Sequence, residues 1–254
     1  MPGDGSVGVD GVWLNSGAKD VAEIVGFAVA HGVDYAVVAT DVPLVWGAVD
    51  ALEVKGIPCF GPRANAAIIE GSKVFAKDLM KKYHIPTAQY EVFTDMEAAL
   101  RYLDTAPVPT VIKADGLALG KGVIIAQTRQ EAKEAVQSMM QDKVFGKSGD
   151  QIVIEEFLTG PEVSVLSFTD GETVVPMISS MDHKRAGDGD TGLNTGGMGT
   201  VAPNPYYTAE IAQRCMEEIF LRTIRALKSA GRNFRSCPYI GMLLTPNGPT
   251  VIES

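Results

Sequence analysis

The chain has 254 residues, 46% hydrophobic and 21% charged, a composition typical of a soluble globular protein with one or two cores. Its net charge of −9 and pI near 4.9 argue against a nucleic-acid partner, so local Lys, Arg and backbone N–H groups must hold any anionic substrate. No apolar run approaches the length of a membrane span, so no membrane partner is expected. Three scattered cysteines, without zinc-site or disulfide spacing, favour a cytoplasmic location.

The first part of the chain predicts a small α/β unit. Residues 33–39 form an apolar run rich in β-branched side chains, a helix is expected from about Pro43 to Lys55, and a short strand is expected at Ile57–Phe60. A strand–helix–strand order of this kind is typical of a parallel sheet.

The middle of the chain predicts an α+β pattern. Ser72 is a candidate N-cap for a helix that stops before Pro86. Capping boxes that begin at Thr94 and Thr128 predict two further helices. Strands are expected at residues 110–114, 123–127, 152–157, 163–168 and 173–178, with the last two joined by an Asp-Gly hairpin turn.

The last part of the chain predicts a loop, a helix and a hairpin. Residues 181–205 lack both helical and strand periodicity, which predicts one long loop, and loops of that length are usually functional or disordered. A long helix is expected from about Ala209 to Ala230.

The closing hairpin is expected to turn at Asn247-Gly248. A two-residue turn there pairs Leu244 with Val251 and Met242 with Glu253, which places Glu253 on an apolar sheet face. An acid in that position requires a cation, and Mg²⁺ bound with a nucleotide is a candidate. The alternative is an exposed carboxylate at the end of a frayed hairpin.

Lys113 is the first candidate functional residue. It lies in an apolar strand that is at least half buried, and burial of an unpaired ammonium group is costly. Its partner is either a phosphate oxygen or a structural carboxylate such as Glu155 or Glu156, and the residue alone does not decide between them.

A glycine-rich stretch at residues 114–122 follows this lysine. Gly120-Lys121 is not followed by Ser or Thr, and the next element is a strand, so a P-loop is excluded. The stretch predicts a flap whose N–H groups close over phosphates. An ordinary glycine-rich hairpin is the alternative.

Two predicted strands then flank a short connection that carries three carboxylates, Glu155, Glu156 and Glu162. An edge strand there can pair with adenine through its backbone, and a fixed carboxylate can accept hydrogen bonds from ribose hydroxyls. A solvated acidic turn is the alternative.

The long loop at residues 181–205 combines Asp182-His183-Lys184-Arg185 with a Thr-Gly-Gly segment. Positive charge beside exposed N–H groups suits an anion such as a sugar phosphate. His183 is expected to form hydrogen bonds and not to act as a general base. A mobile surface loop is the alternative.

In this order, the segments resemble the ATP-grasp superfamily, and within it they are most similar to the phosphoribosylamine–glycine ligase family. The similarity rests on Gly71-Ser72-Lys73 with residues 75–78, on residues 111–118 with 120–123, on Asp182-His183-Lys184-Arg185, and on residues 190–199. The last two segments are the most specific to that family.

The resemblance implies an ATP-grasp fold, both α/β and α+β in class, with a partial N-terminal Rossmann-like (pre-ATP-grasp) subdomain. Residues 1–70 correspond to that subdomain and residues 71–254 to the ATP-grasp domain. A small flap subdomain is expected at about residues 86–157, and the remainder forms a larger subdomain that is incomplete at its C-terminal end.

Site residues follow from the same resemblance. The lysines and the flap are expected to hold phosphates. The connection after the strand expected at residues 152–157 is expected to bind adenine. One glutamate is expected to bind ribose, and the basic loop is expected to bind the sugar phosphate. The implied ATP contacts are Lys73, Lys113, Gly116, Gly120, Lys121, Gly122, Glu155, Glu156, Phe157, Leu158 and Glu162. The implied substrate contacts are Asp182, His183, Lys184, Arg185, Asn194, Thr195, Gly196 and Gly197, with catalytic roles for Lys113, Lys184 and Arg185 and a metal-binding role for Glu253.

The implied reaction is ATP-dependent ligation of glycine to 5-phosphoribosylamine, with Mg²⁺ or Mn²⁺, in purine biosynthesis. The expected partners are these small molecules, and the expected state is a monomer or weak dimer. Another ATP-grasp ligase or carboxylase, and a nucleotide-binding fragment without turnover, are the alternatives.

The chain departs from the family at three places. Leu193 stands where the family usually has proline, the family's opening strand has no counterpart, and the Asn metal ligand expected after Glu253-Ser254 is missing. These features predict a chain truncated at both ends, which binds ATP poorly and forms no glycinamide ribonucleotide.

Overall fold

The computed structural model describes residues 19–117, 122–189, 191–195 and 197–253, with the backbone alone at positions 193 and 194. Its helices are α1 (Val21–Ala30), α2 (Asp41–Val45), α3 (Ala48–Val54), α4 (Ala64–Gly71), α5 (Lys73–Lys82), α6 (Met96–Leu103), α7 (Arg129–Met140), α8 (Ala209–Cys215) and α9 (Leu221–Ser229). Its strands are β1 (Ala36–Val37), β2 (Cys59–Phe60), β3 (Tyr90–Phe93), β4 (Thr110–Ala114), β5 (Val123–Ala126), β6 (Ile152–Glu156), β7 (Glu162–Thr169), β8 (Val174–Pro176), β9 (Met181–Asp182), β10 (Arg185–Gly187), β11 (Thr191–Asn194), β12 (Thr200–Val201), β13 (Tyr239–Thr245) and β14 (Gly248–Glu253).

The N-terminal unit confirms the parallel strand–helix–strand prediction. Strands β1 and β2 pair in parallel, and α1 and α3 pack beside them around Val25, Val49 and Leu52. The single helix expected at 43–55 is wrong, because Gly47 has φ 84° and separates α2 from α3. Among the described residues no helix is long and apolar enough to cross a membrane.

The flap unit is a four-stranded antiparallel sheet in the order β3-β6-β4-β5. Helices α6 and α7 cover one face of it and bury Leu103, Ile112, Val136 and Ile154. Strand β6 lies between β3 and β4, so the expected edge strand at the three-carboxylate segment is wrong. Any free backbone groups for a ligand lie after its last residue, Glu156.

Local capping chemistry sets where the flap helices begin. Thr128 Oγ1 accepts a hydrogen bond from Glu131 N, which confirms Thr128 as the N-cap. The Glu131 carboxylate accepts from Gln127 N, one residue before the N–H that a capping box uses. The helix start predicted at Thr94 is wrong, because the N-cap is Asp95. The Asp95 carboxylate accepts a hydrogen bond from Ala98 N at 2.7 Å. Aspartate is as good an N-cap as threonine, so the sequence offered two adjacent starts.

The larger unit contains a second antiparallel sheet in the order β14-β13-β7-β8. Helices α5, α8 and α9 pack on it over Val163, Phe220, Met242 and Val251. The predicted Asp-Gly hairpin forms between β7 and β8. The predicted long helix forms as well, with a π-helical turn at Met216–Phe220 joining α8 to α9.

The segment at 181–205 is more ordered than a loop. Strand β9 pairs with β12 and β10 pairs with β11, both antiparallel. These strands are two to four residues long, which is too short for an alternating pattern to be recognised in the sequence.

The register expected for the last hairpin is wrong. Met242 pairs with Val251, Thr245 with Gly248, and a bulge between Gly241 and Met242 places Glu253 opposite Gly241. The two turn residues are therefore 246–247, one position earlier than an Asn-Gly turn requires. Glu253 lies over a glycine and not on the apolar face beside Met242.

A glycine between the two sheets gives a test of this packing. Gly160 links β6 to β7 with φ 153°, and a Cβ at this position would lie 2.3 Å from the carbonyl oxygen of Leu244. We expect Gly160→Ala to lower the free energy of unfolding by about 1–3 kcal/mol, because the β13 backbone must shift. The control is Gly26→Ala, in α1 with open space around the glycine. It should raise the free energy of unfolding by about 0.5–1 kcal/mol. Urea titration with circular dichroism measures both, and equal midpoints would contradict the packing.

Candidate functional site

A cavity of about 430 Å³ lies between the flap sheet and the larger sheet. Lys73, Lys113 and Glu162, three of the implied ATP contacts, all line this cavity. We call it the first cavity. Of the described residues expected to bind ATP, substrate or metal, those that line it are Lys73, Lys113, Glu155, Glu156, Phe157, Leu158, Glu162, Lys184, Thr195 and Glu253.

A buried carboxylate organises the floor of the first cavity. Glu155 Oε2 lies 3.1 Å from Lys77 Nζ and 3.1 Å from Lys113 Nζ, and its side chain is 3% exposed. Lys113 Nζ also donates to the carbonyl oxygen of Ile252 at 2.9 Å. The open question about the partner of Lys113 is thus answered in part: a structural carboxylate, Glu155 and not Glu156, pairs with it.

The pairing leaves positive charge facing the cavity. Two ammonium groups share one carboxylate oxygen, and the other oxygen, Oε1, has no hydrogen-bond partner among the described residues. Burial of ions with incomplete pairing is costly, so an incoming anion stabilises this arrangement. Lys113 can therefore serve both as an ion-pair partner and as a phosphate ligand.

Lys77 was not foreseen as a site residue. Its Nζ donates to Thr87 Oγ1 at 2.7 Å, and Thr87 Oγ1 donates to the carbonyl oxygen of Val251 at 2.9 Å, which ties α5 to β14. Burial lowers the pKa of Lys77 to about 8, opposed by the charge of Glu155 and assisted by the charge of Lys113. Its position four residues after Lys73, on the same side of a helix, was the signal in the sequence.

The N-terminus of α5 is joined to the base of the flap. Ser72 caps α5 as predicted, accepting from Phe75 N, and its hydroxyl donates to Asp115 Oδ1 at 3.0 Å. Lys73 Nζ donates to the carbonyl oxygen of Gly116 at 3.0 Å. Burial lowers the pKa of Lys73, and the charge of Lys113 adds to this effect, against the acidic side chains nearby.

The rest of the flap is only partly described. Gly122 lies at the start of the strand that returns from the flap, and its carbonyl accepts from Ala114 N at 2.9 Å. Gly120 and Lys121, both expected to contact ATP, lie outside the described residues. The antiparallel pairing of β4 with β5 confirms that the glycine-rich stretch joins two strands and does not precede a helix.

The connection after β6 has the geometry of a hinge. Glu156 Oε1 accepts from Gln89 N at 2.8 Å, and Glu156 N donates to Gln89 O at 3.0 Å, which fixes the end of the strand. Phe157 and Leu158 follow and line the first cavity. Their backbone groups make no backbone hydrogen bond within the described chain, so they are available to a ligand.

Two carboxylates converge on one lysine at the other side of the cavity. Lys184 Nζ lies 2.7 Å from Glu253 Oε1 and 3.2 Å from Glu162 Oε1. The Tyr239 hydroxyl, another residue that the sequence did not reveal, donates to Glu253 Oε1 at 2.7 Å. The ammonium group therefore occupies a place where two acids hold a cation.

The pKa values of these groups reflect that arrangement. Burial acts to raise the pKa of Glu253, but the charge and hydrogen bond of Lys184, with the Tyr239 hydroxyl, hold it below its usual value. Burial raises the pKa of Glu162, and the charges of Glu253 and Asp182 add to this effect against Lys184. The pKa of Lys184 is raised, because its two carboxylates outweigh its burial.

The remaining basic-loop residues are held by the loop itself. Arg185 Nη1 donates to the carbonyl oxygen of Gly192 at 2.9 Å, and His183 exchanges backbone hydrogen bonds with Met198 and Gly199. Neither Arg185, His183, Asp182 nor Gly197 lines the first cavity, whereas Lys184 and Thr195 do. Gly196 lies outside the described residues, and of Asn194 only the backbone is described.

The Glu155 ion pairs lead to a stability prediction. Glu155→Gln removes the negative charge between Lys77 and Lys113, and loss of one partner of a buried pair costs about 3–5 kcal/mol. Glu156→Gln is the matched control, because a glutamine oxygen can still accept from Gln89 N, and it should cost about 1 kcal/mol or less. Chemical denaturation measures both variants, and equal losses would show that the Glu155 pairs do not carry this stability.

A pH prediction follows from Lys77. Its pKa is about 8 in the folded chain against a reference of 10.5, so between these values the unfolded chain binds the extra proton. Stability contributed by Lys77 therefore rises with pH across this window. Unfolding free energies of wild type and Lys77→Met at about pH 7.5 and about pH 9.5 test this. The unfolding free energy of wild type should rise relative to that of the variant at the higher pH. A constant difference between the two unfolding free energies would contradict the lowered pKa of Lys77.

Family models and curated relatives agree on the affiliation of the chain. The model of the phosphoribosylglycinamide synthetase N domain matches residues 1–70, and that of its ATP-grasp (A) domain matches residues 71–254. The phosphoribosylamine–glycine ligases of Vibrio vulnificus and Yersinia pestis are each 47% identical to the chain, over 94% and 93% of it. The matches cover 56% and 55% of those proteins, so the chain spans about half the length of the curated relatives it matches.

Solved structures support the same conclusion. The crystal structure of phosphoribosylamine–glycine ligase from Thermotoga maritima has a TM-score of 0.72 and 37% identity, covering 77% of this chain and 49% of that chain. A Bacillus anthracis D-alanine–D-alanine ligase complexed with ATP has a TM-score of 0.65 at 22% identity, covering 94% of this chain and 72% of that one, and shows the fold alone. The chain has the ATP-grasp fold and belongs to the phosphoribosylglycinamide synthetase family.

Proposed function

We propose that this chain provides the nucleotide site of a ligase that joins glycine to 5-phosphoribosylamine, giving glycinamide ribonucleotide, ADP and phosphate. One observation carries the proposal: Lys73, Lys113 and a lysine-bridged carboxylate pair converge on a single cavity, in a chain 47% identical to named ligases of this kind. The activity belongs to purine biosynthesis.

The chemistry requires an activated carboxylate. A carboxylate oxygen of glycine attacks the γ-phosphorus of ATP, ADP leaves, and glycyl phosphate forms. The amine nitrogen of phosphoribosylamine then attacks the carbonyl carbon, phosphate leaves, and the amine loses a proton. This sequence needs positioning and charge neutralisation, with no protein nucleophile.

The described residues offer groups for each part of ATP. Lys73 and Lys113 face the proposed phosphate site. Contacts of the flap with the phosphates are proposed for Gly116 and Gly122 and, outside the described residues, for Gly120 and Lys121. Phe157 and Leu158 present free backbone groups to adenine, beside Glu156. The Glu155 carboxylate is already taken by two lysines, so its contribution to ATP binding is to hold Lys113 in place. Glu162 accepts hydrogen bonds from the ribose hydroxyls.

The carboxylates at Lys184 fit a divalent cation bound together with ATP. Among the described residues no group of three or more His, Cys, Asp or Glu side chains could hold a metal by itself. Mg²⁺ commonly uses one or two carboxylates and completes its shell with water and substrate phosphates. Glu253 is the proposed ligand for Mg²⁺ or Mn²⁺, which would neutralise charge on the transferring phosphoryl group.

The basic loop provides the proposed substrate side. Lys184, released from the carboxylates when the metal binds, is placed to meet an anion in the first cavity, next to Thr195. Contacts with the sugar phosphate are proposed for Asp182, His183, Arg185, Asn194, Gly196 and Gly197. Because Arg185 does not line the cavity, its catalytic role requires the loop to move on substrate binding.

Three further proposals concern organisation. The division is into an N-terminal unit, residues 1–70, and an ATP-grasp unit, residues 71–254, with a flap at about 86–157. Three separate cores support three units, although Ala66 and Ile69 pack in the core of the larger unit. A cytoplasmic location and a monomer or weak dimer fit the pathway and the acidic composition. Neither nucleic acid nor membrane is proposed as a partner.

A substrate-omission assay tests the reaction. The purified chain is incubated with Mg·ATP, glycine and freshly made phosphoribosylamine, and products are measured by mass spectrometry, with each substrate left out in turn. Glycinamide ribonucleotide that requires all three substrates is the result that the proposed reaction predicts, and it would contradict the expectation from the sequence that this chain forms none. Turnover with D-alanine or bicarbonate instead would indicate another ATP-grasp ligase or carboxylase, and nucleotide binding without any product would indicate a binding fragment.

The role of Lys73 gives a direct binding prediction. Lys73→Met should weaken Mg·ADP binding about 10- to 100-fold, since hydrogen bonds to charged groups contribute about 1.5–3 kcal/mol. Lys81→Met is the control, because Lys81 lies on the same helix but over the Tyr90 ring, outside the first cavity. Calorimetric titration measures both affinities. An unchanged affinity for Lys73→Met would contradict its contact with phosphate.

A further inference from the structure

Glu70 is a carboxylate at the first cavity that neither the sequence motifs nor the proposed chemistry uses. It lies near the C-terminal end of α4, two residues before the cap of α5. It lines the first cavity and also a second, apolar cavity of about 480 Å³ between the N-terminal unit and β7. Its carboxylate is therefore at the junction of the two.

Each of the other carboxylate groups that line the first cavity has an ion-pair or hydrogen-bond partner, although the Oε1 atom of Glu155 accepts no hydrogen bond from the described residues. Two lysines pair with Glu155, and Lys184 pairs with both Glu162 and Glu253. Glu156 accepts a hydrogen bond from Gln89 N. Within the described part of the chain, Glu70 has neither a hydrogen bond nor an ion pair within 4.0 Å. The Glu70 side chain is exposed, so its carboxylate is free to accept a hydrogen bond from a ligand in the cleft.

The surroundings of Glu70 favour a cation. Partial burial raises the pKa of Glu70 to about 7, and the charges of Glu253 and Asp41 add to this effect against Lys73. Lys73 itself donates to the flap at Gly116 O. The C-terminal end of a helix carries partial negative charge, which also attracts cations. A positively charged ligand group would relieve the repulsion among these acids.

The proposed function, on which this inference rests, supplies such a group. The amino-acid substrate must place its carboxylate against the γ-phosphate, next to Lys73 and Lys113. Its ammonium group is two bonds away and needs an acceptor that is not already paired. Glu70 lines the same cavity as both lysines and precedes Lys73 by three residues in the sequence.

We infer that Glu70 binds the α-ammonium group of the amino-acid substrate and thereby selects an α-amino acid over other small carboxylic acids. The second cavity does not compete for this role, because its wall is largely apolar and a zwitterion would lose hydration there. Glu70 then fixes the orientation of the carboxylate that receives the phosphoryl group.

The experiment measures binding to the chain saturated with Mg²⁺ and a non-hydrolysable ATP analogue, by calorimetry or ligand-observed NMR. Glycine is compared with glycolate, which keeps the carboxylate and replaces the ammonium group with a hydroxyl. Glu70→Gln should weaken glycine binding about 10- to 100-fold, the range for a charged hydrogen bond, and leave glycolate binding unchanged. Asp41→Asn is the matched control: it removes a nearby negative charge outside the first cavity and should leave glycine affinity within about twofold.

The outcomes separate this inference from the proposed function. If wild type binds the nucleotide and glycine, and Glu70→Gln binds glycine equally well, the inference is overturned while the function stands. If Glu70→Gln weakens glycine and glycolate equally, Glu70 shapes the cleft without recognising ammonium, and the inference is again overturned. If wild type binds neither the nucleotide nor glycine, both the proposed function and this inference are overturned. Nucleotide affinity and thermal midpoint, unchanged in the variant, exclude loss of fold.

Discussion

The contact between Glu155 and two lysines, one from α5 and one from β4, is the interaction on which the site depends. It joins the larger unit, through Lys77, to the flap sheet, through Lys113, at a point that is almost fully buried. Two positive charges for one negative charge leave a local excess of positive charge at this point of the cleft wall. The same interaction therefore holds the two units together and prepares the cavity for an anion.

The second organising feature is Lys184, which stands between Glu162 and Glu253. The Lys184 ammonium group pairs with both carboxylates that the proposed mechanism assigns to ribose and metal. A cation bound with ATP would take over that task and leave the lysine facing the cavity. Under the proposed function, this exchange of one cation for another would link nucleotide binding to the release of the Lys184 charge for the second substrate.

Much of this architecture could be predicted from the sequence, because its signals are local. Ser72 and Thr128 cap helices as expected, the two strands of the flap hairpin form, and Lys73, Lys113 and Glu162 reach one cavity. Glycine and capping residues act within a few positions, so a single sequence reveals them.

What could not be predicted depends on contacts between distant segments. Tyr239 lies in no motif, and the family-like segment that contains Lys77 does not mark it as a site residue. Both residues matter because folding places them beside Glu253 and Glu155. The predicted register of the last hairpin was wrong for a related reason. A bulge at Gly241 allows Glu253 to lie over the glycine. An expected edge strand became an interior one when β3 paired with β6.

The central claim is that the two lysines around Glu155 and the flap form a phosphate site. A crystal structure of the chain with Mg²⁺ and a non-hydrolysable ATP analogue tests it most directly. The account predicts phosphate oxygens within about 3 Å of both Lys73 Nζ and Lys113 Nζ, with Lys113 still paired to Glu155. It also predicts that Lys184 has left Glu253. A nucleotide bound outside the first cavity, or phosphates that contact neither lysine, would contradict the account.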